Sequence, residues 1–243
     1  MTAPKRLIAA LLLFGISFGY VEAAVVVYLR SIYRPLREEF YPGLPSDQPV
    51  PLLSIDQLQS AGPDHLQRVR IELGREIGTL VMLTAVALLA ARNVEQWLAA
   101  FLIAFGAWDI SFYAFLRMII HWPQSLLTWD VLFLVPVPWI APVLAPVLVS
   151  VSMIAAGVFV FWRDKQAFAV RLRLYDWVLL FASSLILVLA FTWDFRDAMA
   201  GKPPVTFNWP LFTLGEAAGA IVFVKALASR RSQETAEAVV SRE

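Results

Sequence analysis

Apolar residues dominate six stretches of the chain, at roughly 7–29, 71–91, 97–120, 131–161, 175–194 and 209–228. Each is close to or above the length of about 20 residues that an α-helix needs to cross hydrocarbon. The pattern predicts an all-α, polytopic integral membrane protein with six transmembrane helices within 1–231 and a flexible cytoplasmic tail over 232–243. Composition agrees. At 59% hydrophobic and 16% charged residues, with a mean hydropathy of +0.67, the 243-residue chain carries more apolar surface than an ordinary water-soluble core absorbs.

The first stretch follows Lys5 and Arg6 and contains VEA, which resembles a cleavage site. It runs on through AVVVYL to Leu29, longer than a signal-peptide core, and is read as a spanning helix. The longest polar interruption, roughly 31–62, includes YPGLPSDQPVP, whose prolines and glycine favour turns; the second helix is expected to start near Pro63.

Basic residues orient the bundle. With the N-terminus inside, eleven fall on the cytoplasmic side (Lys5, Arg6, Arg92, Arg163, Lys165, Arg171, Arg173, Lys225, Arg230, Arg231, Arg242) and seven outside (Arg30, Arg34, Arg37, Arg68, Arg70, Arg196, Lys202). That bias predicts both termini inside. The expected place is a cell membrane, with a bacterial inner membrane as the fitting case, and the expected partners are the lipid bilayer and either a second copy or other membrane subunits. A net charge of +1 gives no reason to expect nucleic acid.

A weak threefold hairpin repeat is suggested by FGYVEA, FGAWDI and AFTWDF on the rising helices and by LGREIG, LTWDVLF and LGEAAG on the returning ones. These fragments place Glu22, Asp109, Asp194, Glu76, Asp130 and Glu216 in the outer half of the bundle. Carboxylates in hydrocarbon are costly and usually face a cavity or a partner, so the set, with Glu72 and Tyr113, predicts a carboxylate-lined pocket that binds or conducts a cation or protons.

Asp109, Tyr113, Arg117 and His121 recur every fourth residue, and Glu72 and Glu76 share a helix face with His65 and Arg68 nearby. Arg75, Arg117 and His121 are the expected charge partners. Gly15/Gly19, Gly74/Gly78 and Gly215/Gly219 are spaced for close helix contacts. Pro136, Pro138, Pro142 and Pro146 should break the fourth helix beside a cavity. Trp122, Trp129, Trp139, Trp193 and Trp209 fit an interfacial belt.

The chemistry open to such a pocket is limited. Oxygen ligands suit a divalent cation such as Mg, Ca or Mn, with Glu22, Glu76, Asp109 and His121 as candidate metal ligands. The lack of Cys removes thiolate chemistry, and no HExxH, nucleophile elbow or phosphate-binding loop occurs, so catalysis is not favoured. Two alternatives to cation or proton binding remain: an accessory subunit of a larger membrane complex, and a membrane-embedded metalloenzyme acting on a lipid-like substrate.

Overall fold

The computed structural model describes residues 3–44, 48–164 and 172–240. The centre of YPGLPSDQPVP at 45–47, the basic stretch 165–171 and the last three residues of the expected tail lie outside the described residues. Among the described residues, eight helices and one two-stranded sheet follow in the order α1 (Ala3–Phe40), α2 (Ile55–Ser60), α3 (Pro63–Ala90), α4 (Val94–Ile120), β1 (Trp129–Phe133), β2 (Trp139–Pro142), α5 (Leu144–Asp164), α6 (Leu174–Phe191), α7 (Phe195–Met199) and α8 (Trp209–Val240). Six of them, α1, α3, α4, α5, α6 and α8, are long and apolar enough to cross a bilayer. This is the architecture of a multi-pass membrane protein.

Helix boundaries follow local chemistry. Pro63 opens α3 at its first turn, as expected, where a missing amide costs nothing. The Asn93 side chain caps α4 by accepting from Gln96 N, and Ser54 and Gln57 form a reciprocal capping box on α2. The first helix does not stop near 29. It continues through Pro35 to Phe40, so the connection to α3 spans 41–62 rather than 31–62.

Packing centres on α4. Gly15 and Gly19 of α1 lie against its backbone: a Cβ on Gly15 would stand 2.6 Å from the Ala104 carbonyl, and one on Gly19 2.7 Å from that of Trp108. Gly106 of α4 and Gly157 of α5 meet the facing helix just as closely, at the Ser150 and Ala99 carbonyls. These contacts run α1 parallel and α5 antiparallel to α4. In the third pair, Gly215 of α8 sits against Leu187 of α6. Ser152–Glu216 and Phe159–Phe223 set α8 parallel to α5. The start of α1 and the end of α8 therefore share one end of the bundle. Toward that end lies an apolar core built from Leu11, Leu83, Ala87, Ala99, Ala100, Ile103, Ala104 and Phe161.

The stretch 131–161 is not one proline-broken helix. Residues 129–142 form an antiparallel hairpin, pairing Asp130 with Ala141 and Phe133 with Trp139, and α5 starts only at Leu144. Pro136 and Pro138 lie in the turn, Pro142 ends β2, and Pro146 sits in the first turn of α5, where its missing amide is tolerated. The hairpin folds back between the helices. Its tip reaches the middle of α4, with the Phe133 ring 6.0 Å from Trp108 and Trp139 stacked at 6.0 Å on Phe191 of α6. Non-helical backbone at such a depth requires burial within protein, and the helices on either side supply it.

Candidate functional site

Five of the six acids expected in the outer half fall into three separate groups. The first lies between α1 and α3. Residues 72, 75, 76 and 79 share one face of α3, and the Arg75 guanidinium joins Glu72 of its own helix to Glu22 of α1. Arg75 Nε donates to both Glu72 oxygens at 3.0 Å, and Nη1 reaches Thr79 Oγ1 at 3.4 Å. Glu22 and Glu76 are 8% and 5% exposed, so water neutralises neither. Among the described residues Glu76 makes no ion pair. Its carboxylate instead accepts the Leu134 amide at the hairpin tip, at 2.8 and 3.1 Å. The group thus holds three carboxylates to one guanidinium, and Glu22 and Glu72 have taken that guanidinium's hydrogen bonds.

The second group joins α4, α5 and β1. Tyr113 donates to Asp130 at 3.0 Å, and Ser150 donates to Asp109 at 2.8 Å. All four residues face inward, and Ser150 is 1% exposed. Here hydroxyls donate to both carboxylates. Arg30, whose guanidinium stands 3.8 Å over the Trp122 ring, adds a positive charge that acts on Asp130.

Glu216 forms a third site by itself, accepting from Ser152 Oγ at 2.8 Å between α8 and α5. Asp194 lies in the turn before α7 and its side chain caps nothing.

Several expectations need correction. Arg117 neutralises no acid; it is exposed and donates to the carbonyls of His121 and Pro123 at 2.6 and 3.3 Å, closing the end of α4. His121 is exposed there in the left-handed conformation, φ 56°. Gly74 and Gly78 face open space and mediate no helix contact. The five tryptophans differ in surroundings: Trp122 is buried under Arg30, Trp139 packs on Phe133 and Phe191, and Trp193 alone is strongly exposed. The hairpins are not equivalent either, since α1 packs chiefly on α4 and only Asp194 of the acids lies in a turn after its helix.

Among the described residues no three His, Asp or Glu side chains converge so as to hold a metal ion, and Glu22, Glu76, Asp109 and His121 are divided between sites. A cavity of about 270 Å³ opens at the mouth of the hairpin, lined by Gln48, Trp122, Gln124 and Trp129 among others, and no carboxylate lines it. Thr79, Ser150 and the Leu134 amide were not foreseeable partners; only Thr79 lies in register with the Glu72–Glu76 face. The chain matches no family model, no curated protein and no solved structure.

Proposed function

We propose that this protein is a membrane proton-binding protein whose site is the Glu22–Glu72–Arg75–Glu76 group. The observation that carries the reading is Glu76: a buried carboxylate whose one partner is a neutral amide, beside an arginine already held by two other carboxylates. An isolated charge in hydrocarbon costs several kcal/mol, and a bound proton removes that cost at Glu76. With both termini cytoplasmic, the group faces the outer leaflet of a cell membrane. A proton fits better than a divalent cation, because no carboxylate trio converges among the described residues. Binding is favoured over conduction by the apolar core around Leu83, Ala87, Ala100 and Ile103, which lies between the group and the other end of the bundle.

A second reading rests on the Arg75 bridge itself. The bridge ties α1 to α3, as an accessory subunit held together by intramembrane charge requires.

Infrared difference titration of the reconstituted protein separates the two. Proton binding predicts a carboxylic-acid C=O band that grows as pH falls, vanishes in Glu76→Gln and persists in Asp109→Asn. An identical titration in wild type and Glu76→Gln rejects the proposal and leaves the structural reading.

A further inference from the structure

We infer that the cavity at the mouth of the hairpin binds one neutral sugar ring, either free or carried as the headgroup of a lipid. It opens at the end of the bundle opposite the start of α1, between the segment 122–129 that follows α4 and the segment 48–50 that precedes α2. Its volume of about 270 Å³ is close to the lower end of the range for small-molecule sites, about 300–1,000 Å³. A single ring suits that space.

Both walls are held by the fold itself. Arg117 donates to the carbonyls of His121 and Pro123 at 2.6 and 3.3 Å, which fixes the start of 122–129. Ser125 N donates to Thr128 Oγ1 at 3.0 Å, and the Val143 and Leu144 amides tie the carbonyls of Thr128 and Leu126 to the base of the hairpin at 2.9 and 2.7 Å. On the other side Arg37 donates to the carbonyls of Pro49 and Pro51 at 3.3 and 2.6 Å, and Val50 is buried in a cluster with Ile140 and Ala198. A site set in place beforehand loses little ordering entropy when a ligand enters.

The lining selects the ligand. Trp122 and Trp129 supply aromatic surface, while Gln48, Gln124, Ser125 and Thr128 supply amides and hydroxyls that both donate and accept. Among the described residues no charged side chain lines the cavity, so an ion would leave water for a site without a counter-charge. One face of Trp122 already carries the Arg30 guanidinium at 3.8 Å, which opposes an organic cation in particular. A purely apolar ligand would strand the amides and hydroxyls, and sites built to pair with hydroxyls discriminate strongly against analogues that lack them. A sugar ring meets both demands, with C–H faces for an aromatic plane and hydroxyls for the amides. This inference does not rest on proton binding at Glu76.

The test uses the full-length protein in lipid nanodiscs with photoreactive probes that carry a diazirine next to the sugar. These are the methyl glycosides of glucose, galactose, mannose and N-acetylglucosamine, diacylglycerol lipids bearing the same sugars, and a diazirine diacylglycerol with no sugar. After irradiation, mass spectrometry maps the labelled residues. Sugar probes should label 48–50 and 122–129 roughly tenfold more than the sugar-free lipid, the scale of one or two net hydrogen bonds, and excess unreactive glycoside should suppress that labelling. Labelling by both forms supports a site for the ring alone, and labelling by the lipid form alone supports a site for a lipid headgroup. Gln48→Leu and Gln124→Leu, both at exposed positions, should each lower sugar-specific labelling several-fold, while Glu76→Gln should leave it unchanged. Equal labelling by the sugar-free lipid overturns the inference, as does sugar-specific labelling that survives both glutamine substitutions. So does a failure of every sugar probe to label these two segments.

Discussion

Two buried carboxylate groups, set on the same side of one bundle, meet their desolvation in opposite ways. Between α1 and α3 a guanidinium is inserted between Glu22 and Glu72, leaving Glu76 on a backbone amide. Between α4, α5 and the hairpin, Asp109 and Asp130 rest on hydroxyls of Ser150 and Tyr113. The difference shows which carboxylates are ordered by a cation set among them and which by hydroxyl donors. A guanidinium cannot be deprotonated in a protein, so the first group keeps a permanent positive centre that orders its acids. A hydroxyl serves an ionised or a protonated carboxyl equally well, since it can donate or accept.

The largest expected effect comes from breaking the first group. Arg75→Gln removes the shared cation and strands Glu22 and Glu72, and loss of one partner of a buried pair costs about 3–5 kcal/mol. Equilibrium unfolding in mixed micelles should show this loss. Tyr113→Phe should cost less, about 1–3 kcal/mol, the penalty for a buried acceptor left without its donor. Asp109→Asn should be smallest, about 1 kcal/mol or less, because the amide oxygen still accepts from Ser150 while the charge disappears. A loss for Asp109→Asn as large as that for Arg75→Gln would erase the distinction between the two groups.

The glycines offer an independent contrast. Gly19→Ala forces a methyl onto the α4 backbone and should destabilise by about 1–3 kcal/mol as overpacking does, whereas Gly78→Ala meets nothing and should be neutral or slightly stabilising through helix propensity.

Much of this was legible in the pattern of residues, and the failures have physical causes. Apolar runs revealed the six long helices, and Pro63 marked the start of α3, because hydrocarbon thickness and proline geometry act locally. Glu72, Arg75 and Glu76 came together because spacings of three and four fall on one helix face. The same logic misled for Arg117. Each step of four residues advances about 40° around a helix of 3.6 residues per turn, so the stripe from Asp109 rotates outward: Tyr113 is buried and Arg117 is exposed. The hairpin was hidden because periodicity does not distinguish a short apolar strand from a buried helical segment. The signal available was the valine- and aromatic-rich composition around VPVP, which suits a pleated pair better than a kinked helix. The end of α1 was misplaced for a different reason. Hydropathy marks where apolar residues stop, but LREEF continues as good helix formers to Phe40.

The central claim is that Arg75 belongs to Glu22 and Glu72 and leaves Glu76 without a counter-ion. A double-mutant cycle on unfolding free energy tests it directly, pairing Arg75→Gln first with Glu22→Gln and then with Glu76→Gln. The account predicts a favourable coupling of about 1–3 kcal/mol between Arg75 and Glu22 and a clearly smaller one between Arg75 and Glu76. A stronger coupling of Arg75 to Glu76 than to Glu22 would contradict it.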